Sequence, residues 1–220
     1  IIILKLDFAK AFDTVEHEVI LQVLHHKGFD RKWIAWVKEI LSSGTSSVLQ
    51  NGILGKQFKC KCGIRQGYPL SPLLFVIVAD LLQSVVNHML SQGSLTLPIP
   101  SHDPNYPIIQ YTDDTIIILP AVEEQLVALK NMLAVFQQST GLKVNFAKSY
   151  MIPLNISNDE ALGLAALLGC KIGELPFTYL GLPLGTTRPR IVDLLPLVDN
   201  IERRLSASSA MLNRGSRLQL

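Results

Sequence analysis

The chain opens on an apolar, mostly β-branched run, Ile1-Ile2-Ile3-Leu4, that continues to Leu6 and closes on an acid, Asp7. So short and apolar a run predicts a buried strand. Asp13-Thr14-Val15-Glu16 has the form of a capping box and predicts a helix running to about Lys27 and stopping at Gly28. Asp30 is placed to cap a further helix, in which Trp33, Ile34, Val37, Ile40 and Leu41 recur at helical spacing before Gly44. Asn51-Gly52 between β-prone residues predicts a tight hairpin. Ser71-Pro72 reads as N-cap and first-turn proline of a helix from Leu73 to about Leu90. Ser91 to Pro107, with Gly93 and four prolines, reads as a loop.

Ile108 to Leu119 then gives two apolar strands flanking Asp113-Asp114, a hairpin with the acids at its tip. Glu123 to Ser139 is an amphipathic helix ended by Gly141. Leu142 to Ile152 reads as extended, Asp159 to Leu168 as helix, Phe177 to Leu184 as extended, and Ile191 to about Leu212 as helix. The order β-α-α-ββ-α-ββ-α-β-α-β-α belongs to the α+β class, a layer of sheet against helices.

Composition narrows the picture. Of 220 residues, 48% are apolar and 17% charged, which excludes intrinsic disorder. The longest apolar stretch, Leu73 to Ala79, falls short of the roughly 18 residues that span a bilayer, so no membrane partner is expected. No basic segment precedes Ile1, so no signal peptide is expected either; a start inside a strand reads as part of a longer protein. The net charge of +2 is mild, but Lys56, Lys59, Lys61 and Arg65 stand in a stretch, Ile40 to Ala79, without an acid. Arg188, Arg190, Arg203, Arg204, Arg214 and Arg217 face only Asp193, Asp199 and Glu202 near the end. These are two basic faces fit for phosphates, although ordinary solvated charge explains them as well.

Three cysteines, Cys60, Cys62 and Cys170, make no disulfide framework, and Cys60 and Cys62 share one face of a strand without partners for zinc. A reducing, intracellular compartment is expected. The histidines His17, His25, His26, His88 and His102 form no ligand spacing and read as surface or helix-flank residues.

The acids carry the chemistry. Asp113 and Asp114 sit between β-branched residues, where adjacent carboxylates repel and resist desolvation unless a cation compensates. A plain turn role is the alternative, but the pair brings no Gly or Asn for a positive φ. Asp7 ends a buried strand, a position that commonly faces a site. Two adjacent strands would bring Asp7 and Asp113 within a few ångströms, a donor set suited to Mg²⁺ and substrate phosphates. The loop Gly63 to Pro72 leads into a helix start, which allows close approach of a nucleotide or serves only as a rigid turn and cap.

In combination these segments resemble a known family. Leu6-Asp7-Phe8-Ala9-Lys10-Ala11-Phe12-Asp13, then Arg65-Gln66-Gly67 with Pro69-Leu70-Ser71-Pro72-Leu73-Leu74-Phe75, then Tyr111-Thr112-Asp113-Asp114 follow the order of motifs A, B and C of reverse transcriptases. Gly141-Leu142-Lys143-Val144-Asn145-Phe146-Ala147-Lys148-Ser149 resembles motif D, and Phe177-Thr178-Tyr179-Leu180-Gly181 resembles motif E. The wording is similar to non-LTR (LINE-type) retrotransposon polymerases, most of all those of plant genomes, as far as about Gly185. Thr112 stands where Ala is usual, and Tyr68 where an acid is frequent.

The resemblance implies a polymerase palm, an antiparallel sheet packed on helices, over 1–187, and the start of a helical thumb over 188–220, with the fingers missing. It implies that Asp7 and Asp113 hold two Mg²⁺ ions (or Mn²⁺ in their place), that the Phe8 carbonyl joins them, and that Asp114 supports the site. Phe12 matches an aromatic gate against a ribose 2′-hydroxyl. Arg65, Gln66 and Gly67 would line the nucleotide and template, Lys148 would protonate the pyrophosphate leaving group, and Tyr179, Leu180 and Gly181 would hold the primer end. The implied partners are an RNA template, a DNA primer, a dNTP, and the fingers, remaining thumb and endonuclease of one polyprotein; the implied location is the nucleus. Two other readings remain open at this point. One is a catalytically inactive retroelement remnant with at most residual nucleic-acid binding. The other is a nucleotide cyclase, which would need a Gly-Gly-acid turn that is absent here.

Overall fold

A computed structural model describes residues 1–101, 103, 106–187 and 190–211. In chain order its elements are β1 (Ile2–Leu6), α1 (Ala11–Thr14), α2 (His17–His26), α3 (Arg31–Ser42), β2 (Thr45–Ser46), β3 (Leu49–Gln50), β4 (Ile53–Leu54), β5 (Phe58–Lys59) and α4 (Ser71–Ser91). There follow β6 (Ile108–Tyr111), β7 (Asp114–Leu119), α5 (Glu123–Thr140), β8 (Tyr150–Pro153), α6 (Asn158–Leu168), β9 (Lys171–Ile172), β10 (Phe177–Tyr179), β11 (Leu182–Leu184) and α7 (Ile191–Met211). The chain divides into two compact units, Ile1–Ile172 and Gly173–Leu220. The boundary expected after residue 187 meets Arg188 and Pro189, which lie outside the described residues, as do His102, Leu212, Arg214 and Arg217.

The first unit is α+β, as expected. Its five-stranded sheet has the order β6-β7-β1-β8-β9. β1 is central and antiparallel to both β7 and β8; only β8 and β9 run parallel among the described strands of this sheet. Ile2, Leu4 and Leu6 are buried while Ile3 and Lys5 stay half-exposed, so the strand buries one face rather than both. That face joins one core with Leu24 of α2, Phe75 and Leu82 of α4, Leu129 of α5 and Leu168 of α6.

α4 is long and apolar enough, by length and composition, to cross a membrane, which the Leu73–Ala79 stretch alone is not. In this fold its Leu74, Phe75, Val78, Ala79, Leu82 and Val86 are buried in the core. Thr115 of β7 is fully buried opposite Leu6, and its hydroxyl finds no partner among the described residues. Thr115→Val keeps the shape and removes the orphan group, and should raise stability by roughly 1 kcal/mol. A urea midpoint that stays put or falls would show that the hydroxyl is satisfied.

Local signals located several elements well. Asp30 caps α3 by accepting from the Lys32 N–H at 2.8 Å. Asn51 and Gly52 take φ of 51° and 81° between β3 and β4, as a two-residue hairpin of this hand requires. Elsewhere tertiary bonds overrule the local signal. Asp13 is not an N-cap: it lies inside α1, and the chain breaks at Val15 before α2 starts at His17. The break frees the Val15 carbonyl to accept the Gly63 N–H at 2.7 Å.

Ser71 is the first residue of α4 rather than its cap, because its hydroxyl donates to the Arg65 carbonyl at 2.6 Å. Residues 145–148 form a turn, not a strand, because the Asn145 carbonyl collects the N–H groups of Lys148 and Ser149. Cys60 and Cys62 do not share a strand: β5 ends at Lys59, and Cys62 bridges Glu16. In the second unit, 177–184 is a hairpin whose turn residues Leu180 and Gly181 both have positive φ, and α7 carries Pro196 within it.

Candidate active site

Asp7 leaves β1 at the edge of the central strand pair. The β1–β7 register ends at Leu6 opposite Thr115, so the next positions on the two strands are Asp7 and Asp114. Asp113 lies in the turn before Asp114, which is the first residue of β7. The three acids are thus carried to one end of adjacent strands, far apart in sequence and close in topology.

The turn that presents Asp113 uses Thr112, at φ 52°, as its left-handed residue. The positive φ that Gly or Asn adopts most easily is therefore present, taken by a β-branched residue at some strain. Thr112 offsets part of it: its hydroxyl lies 2.7 Å from the Tyr111 carbonyl and 3.0 Å from Asp113 Oδ1. Asp7 and Asp113 are exposed, Asp114 is half-buried, and the Asp7 carboxylate takes no hydrogen bond among the described residues.

Behind Asp7 the chain is held firmly. Its N–H donates to Ser149 Oγ at 3.0 Å, and its carbonyl accepts the Asn145 N–H at 2.7 Å. Phe8 is buried and bridges Val144, but the bonds of that bridge are made by Asp7 and Ala9. The Phe8 carbonyl takes no part in them. Lys148 is exposed on the turn that binds Asp7.

The loop 63–70 is tied to the segment after Asp7. The Ile64 N–H donates to the Phe12 carbonyl at 2.7 Å, and the His17 ring nitrogen Nε2 lies 2.7 Å from the Gly63 carbonyl. His17 is thus no bystander on the surface, whereas His25, His26 and His88 are exposed. Arg65, Gln66 and Gly67 are all exposed, and the Arg65 guanidinium stacks 5.2 Å over the Tyr68 ring. Phe12 is half-buried and stacks on Phe75, with ring centroids 4.5 Å apart and planes at 16°. Tyr179, Leu180 and Gly181 belong to the second unit, where Tyr179 is buried and the other two form an exposed turn.

Among the described residues no three His, Cys, Asp or Glu side chains gather tightly enough to form a metal cage. Two exposed carboxylates, with the carbonyl of Phe8 one residue on from Asp7, are nonetheless the sparse hard-oxygen set that Mg²⁺ shares with substrate phosphates. The donors present therefore fit such an ion. Burial pushes the Cys170 thiol up, which disfavours its thiolate. The bonds of Ser149, Asn145 and His17 escape sequence reasoning, since each joins residues remote along the chain, although Asn145 and Ser149 stand within the motif D segment.

The sequence model described as reverse transcriptase (RNA-dependent DNA polymerase) matches residues 1–184. A retrovirus-related Pol polyprotein from the type-1 retrotransposable element R2 of Popillia japonica is 25% identical over 215 residues, which is 91% of this chain and 34% of that protein. A Pol polyprotein from the type-2 element R2DM of Drosophila melanogaster is 35% identical over 80 residues, 36% of this chain and 8% of that protein. The chain thus spans about a third or less of the length of these relatives. In fold it is similar to the telomerase of Candida tropicalis solved with a TWJ fragment of telomeric RNA. The TM-score is 0.58 at 16% identity, over 84% of this chain and 28% of that one.

Proposed function

The chain belongs to the reverse transcriptase family, and on that premise we propose that it is the palm, with the start of the thumb, of an RNA-directed DNA polymerase from a LINE-type element of a plant genome. The observation that carries this reading is the meeting of Asp7 with the Asp113-Asp114 hairpin at one end of adjacent strands. The wording of the five motifs supports the LINE-type, plant assignment. The reaction is attack of a primer 3′-hydroxyl on the α-phosphorus of a dNTP, with pyrophosphate leaving and an RNA strand as template.

Reverse transcriptases generally use divalent metals. Asp7, Asp113 and the Phe8 carbonyl are the groups that would hold two Mg²⁺ (or Mn²⁺) ions here, with Asp114 alongside. When bound, such ions stabilise the charge of a phosphoryl displacement. The chain's own residues do the positioning. The rigid seat behind Asp7 aims its carboxylate, and the exposed loop Arg65-Gln66-Gly67 offers a cation and backbone groups to the nucleotide and template. Lys148 Nζ supplies a proton to the departing pyrophosphate. Tyr179, Leu180 and Gly181 support the primer end. The fingers, remaining thumb and endonuclease of the same polyprotein complete the enzyme, and the nucleus is its place of action.

The test is primer extension on an RNA template by the polymerase that contains this chain, with dNTPs and Mg²⁺. Template-dependent DNA synthesis is expected, and its absence would remove the reading. Phe12 gives a sharper version. Its ring, braced on Phe75, would leave no room for a 2′-oxygen beneath the sugar, discrimination by a clash rather than by an attraction. Phe12→Ala should raise the ratio of rNTP to dNTP incorporation efficiency at least about tenfold. If Phe12 were packing alone, both efficiencies would fall together and the ratio would not move.

A further inference from the structure

The main chain of Asp7 sits where the sheet ends. The ladder of β1 with β8 stops at Lys5 opposite Tyr150, and that with β7 at Leu6 opposite Thr115. Main-chain groups just beyond a strand end usually turn to water. Here both are taken by one turn. The Asp7 N–H donates to Ser149 Oγ at 3.0 Å, Ser149 Oγ–H donates to the Asn145 carbonyl at 2.8 Å, and the Asn145 N–H returns to the Asp7 carbonyl at 2.7 Å. The three bonds close a ring.

Ser149 is 1% exposed, so neither of its bonds has water as an easy substitute. The Asn145 carbonyl also accepts the Lys148 N–H at 3.0 Å and the Ser149 N–H at 2.9 Å. One short turn therefore carries Lys148 and, through one buried hydroxyl, grips the residue before Phe8. A residue present only to fill the core would need no hydroxyl, and this one joins two backbone segments 142 residues apart.

We propose that Ser149 is a positioning residue of the polymerase site: its hydroxyl fixes the main chain of Asp7 against the turn that carries Lys148, and so sets the aim of the Asp7 carboxylate. The proposal rests on the polymerase reading of Asp7. Without the hydroxyl, the Asp7 N–H is left without its acceptor, and the carboxylate gains freedom just where sub-ångström placement governs rate.

The test compares wild type, Ser149→Ala and Ser149→Thr in the polymerase that contains this chain. Amide hydrogen exchange is read at Asp7 and, as an internal control, at Ile116–Ile118 of β7. Ser149→Ala should speed exchange at Asp7 about tenfold or more while β7 is unchanged, and Ser149→Thr, which keeps a hydroxyl, should stay near wild type. Mn²⁺ binding in the absence of nucleotide, followed by electron paramagnetic resonance, should weaken several-fold in Ser149→Ala. Its kcat should fall roughly ten- to a hundredfold with the KM for dNTP held within about twofold.

Unchanged exchange at Asp7, or exchange that rises equally in β7, overturns the link. So does a loss of kcat with no change in Mn²⁺ affinity. If wild type itself neither binds Mn²⁺ nor extends a primer, the polymerase reading fails and takes the catalytic role of Ser149 with it. The exchange data alone then decide whether the hydroxyl holds Asp7.

Discussion

Replacing Asp113 with alanine in the polymerase that contains this chain is expected to lower primer extension on RNA by at least about a thousandfold in kcat. The fold should survive the change. Asp113 is exposed in a two-residue turn and accepts a hydrogen bond from the neighbouring Thr112 hydroxyl, so stability should move by no more than about 0.5–1 kcal/mol. The loss in rate comes from a different source. A carboxylate that holds a metal ion against a phosphoryl group supports several kcal/mol of transition-state charge stabilisation, and each 1.4 kcal/mol or so is a factor of ten. Asp7→Ala should be as damaging, since Asp7 carries the other exposed carboxylate at this strand end. Asp114→Ala should do less, because Asp114 is half-buried at the start of β7 rather than exposed in the turn. Single-turnover extension and a thermal melt, read on the same preparations, separate the two effects. Extension by Asp113→Ala within tenfold of wild type would end the mechanism proposed for this hairpin.

The acids are legible in the sequence because each stands where apolar periodicity says a strand should stop. Asp7 closes the Ile1–Leu6 run, and Asp113-Asp114 divides two runs of β-branched residues. Turns set by one or two local residues are legible for the same reason, as Asn51-Gly52 and Asp30 illustrate. What cannot be read is geometry fixed by a distant partner. Val15 breaks what the capping pattern would continue, because its carbonyl takes the Gly63 N–H from 48 positions away, and Glu16 donates to the Thr140 carbonyl across a still longer gap. Ser71 looks like a cap and is instead a brace for Arg65. Thr112 and Leu180 adopt left-handed φ that their side chains disfavour, and only the hairpins around them explain it. The site follows this division. Its chemical groups are named by the sequence, while its seat, built from Asn145 and Ser149, emerges only from the fold.

That seat depends on a glycine. Gly141 ends α5 at φ 79°, with its N–H bonded to the Gln137 carbonyl at 2.8 Å. An added Cβ would run into the carbonyl of Thr14, and would also lie 3.4 Å from Cγ of Glu16. The obstacle is the backbone of Thr14, the last residue of α1, not the movable tip of a side chain. Relief would require Thr14 and Gly141 to part, which would stretch the Glu16 N–H bond to the Thr140 carbonyl, 2.9 Å in the fold. Leu142 and Val144, both buried directly downstream, would move with it. Gly141→Ala is therefore expected to destabilise the domain by about 3–5 kcal/mol, combining a left-handed strain of about 1–2 kcal/mol with the displaced contact. Against a typical total of roughly 5–15 kcal/mol that is a large fraction, enough to leave much of the protein unfolded at 37 °C. Gly169→Ala isolates the strain. Gly169 ends α6 at φ 78°, but a Cβ there would meet nothing within 4 Å, so its substitution should cost only about 1 kcal/mol. Urea midpoints of the two variants test the difference: equal losses would mean that the chain can open at Thr14 without penalty, and that the seat behind Asp7 is softer than its bonds suggest.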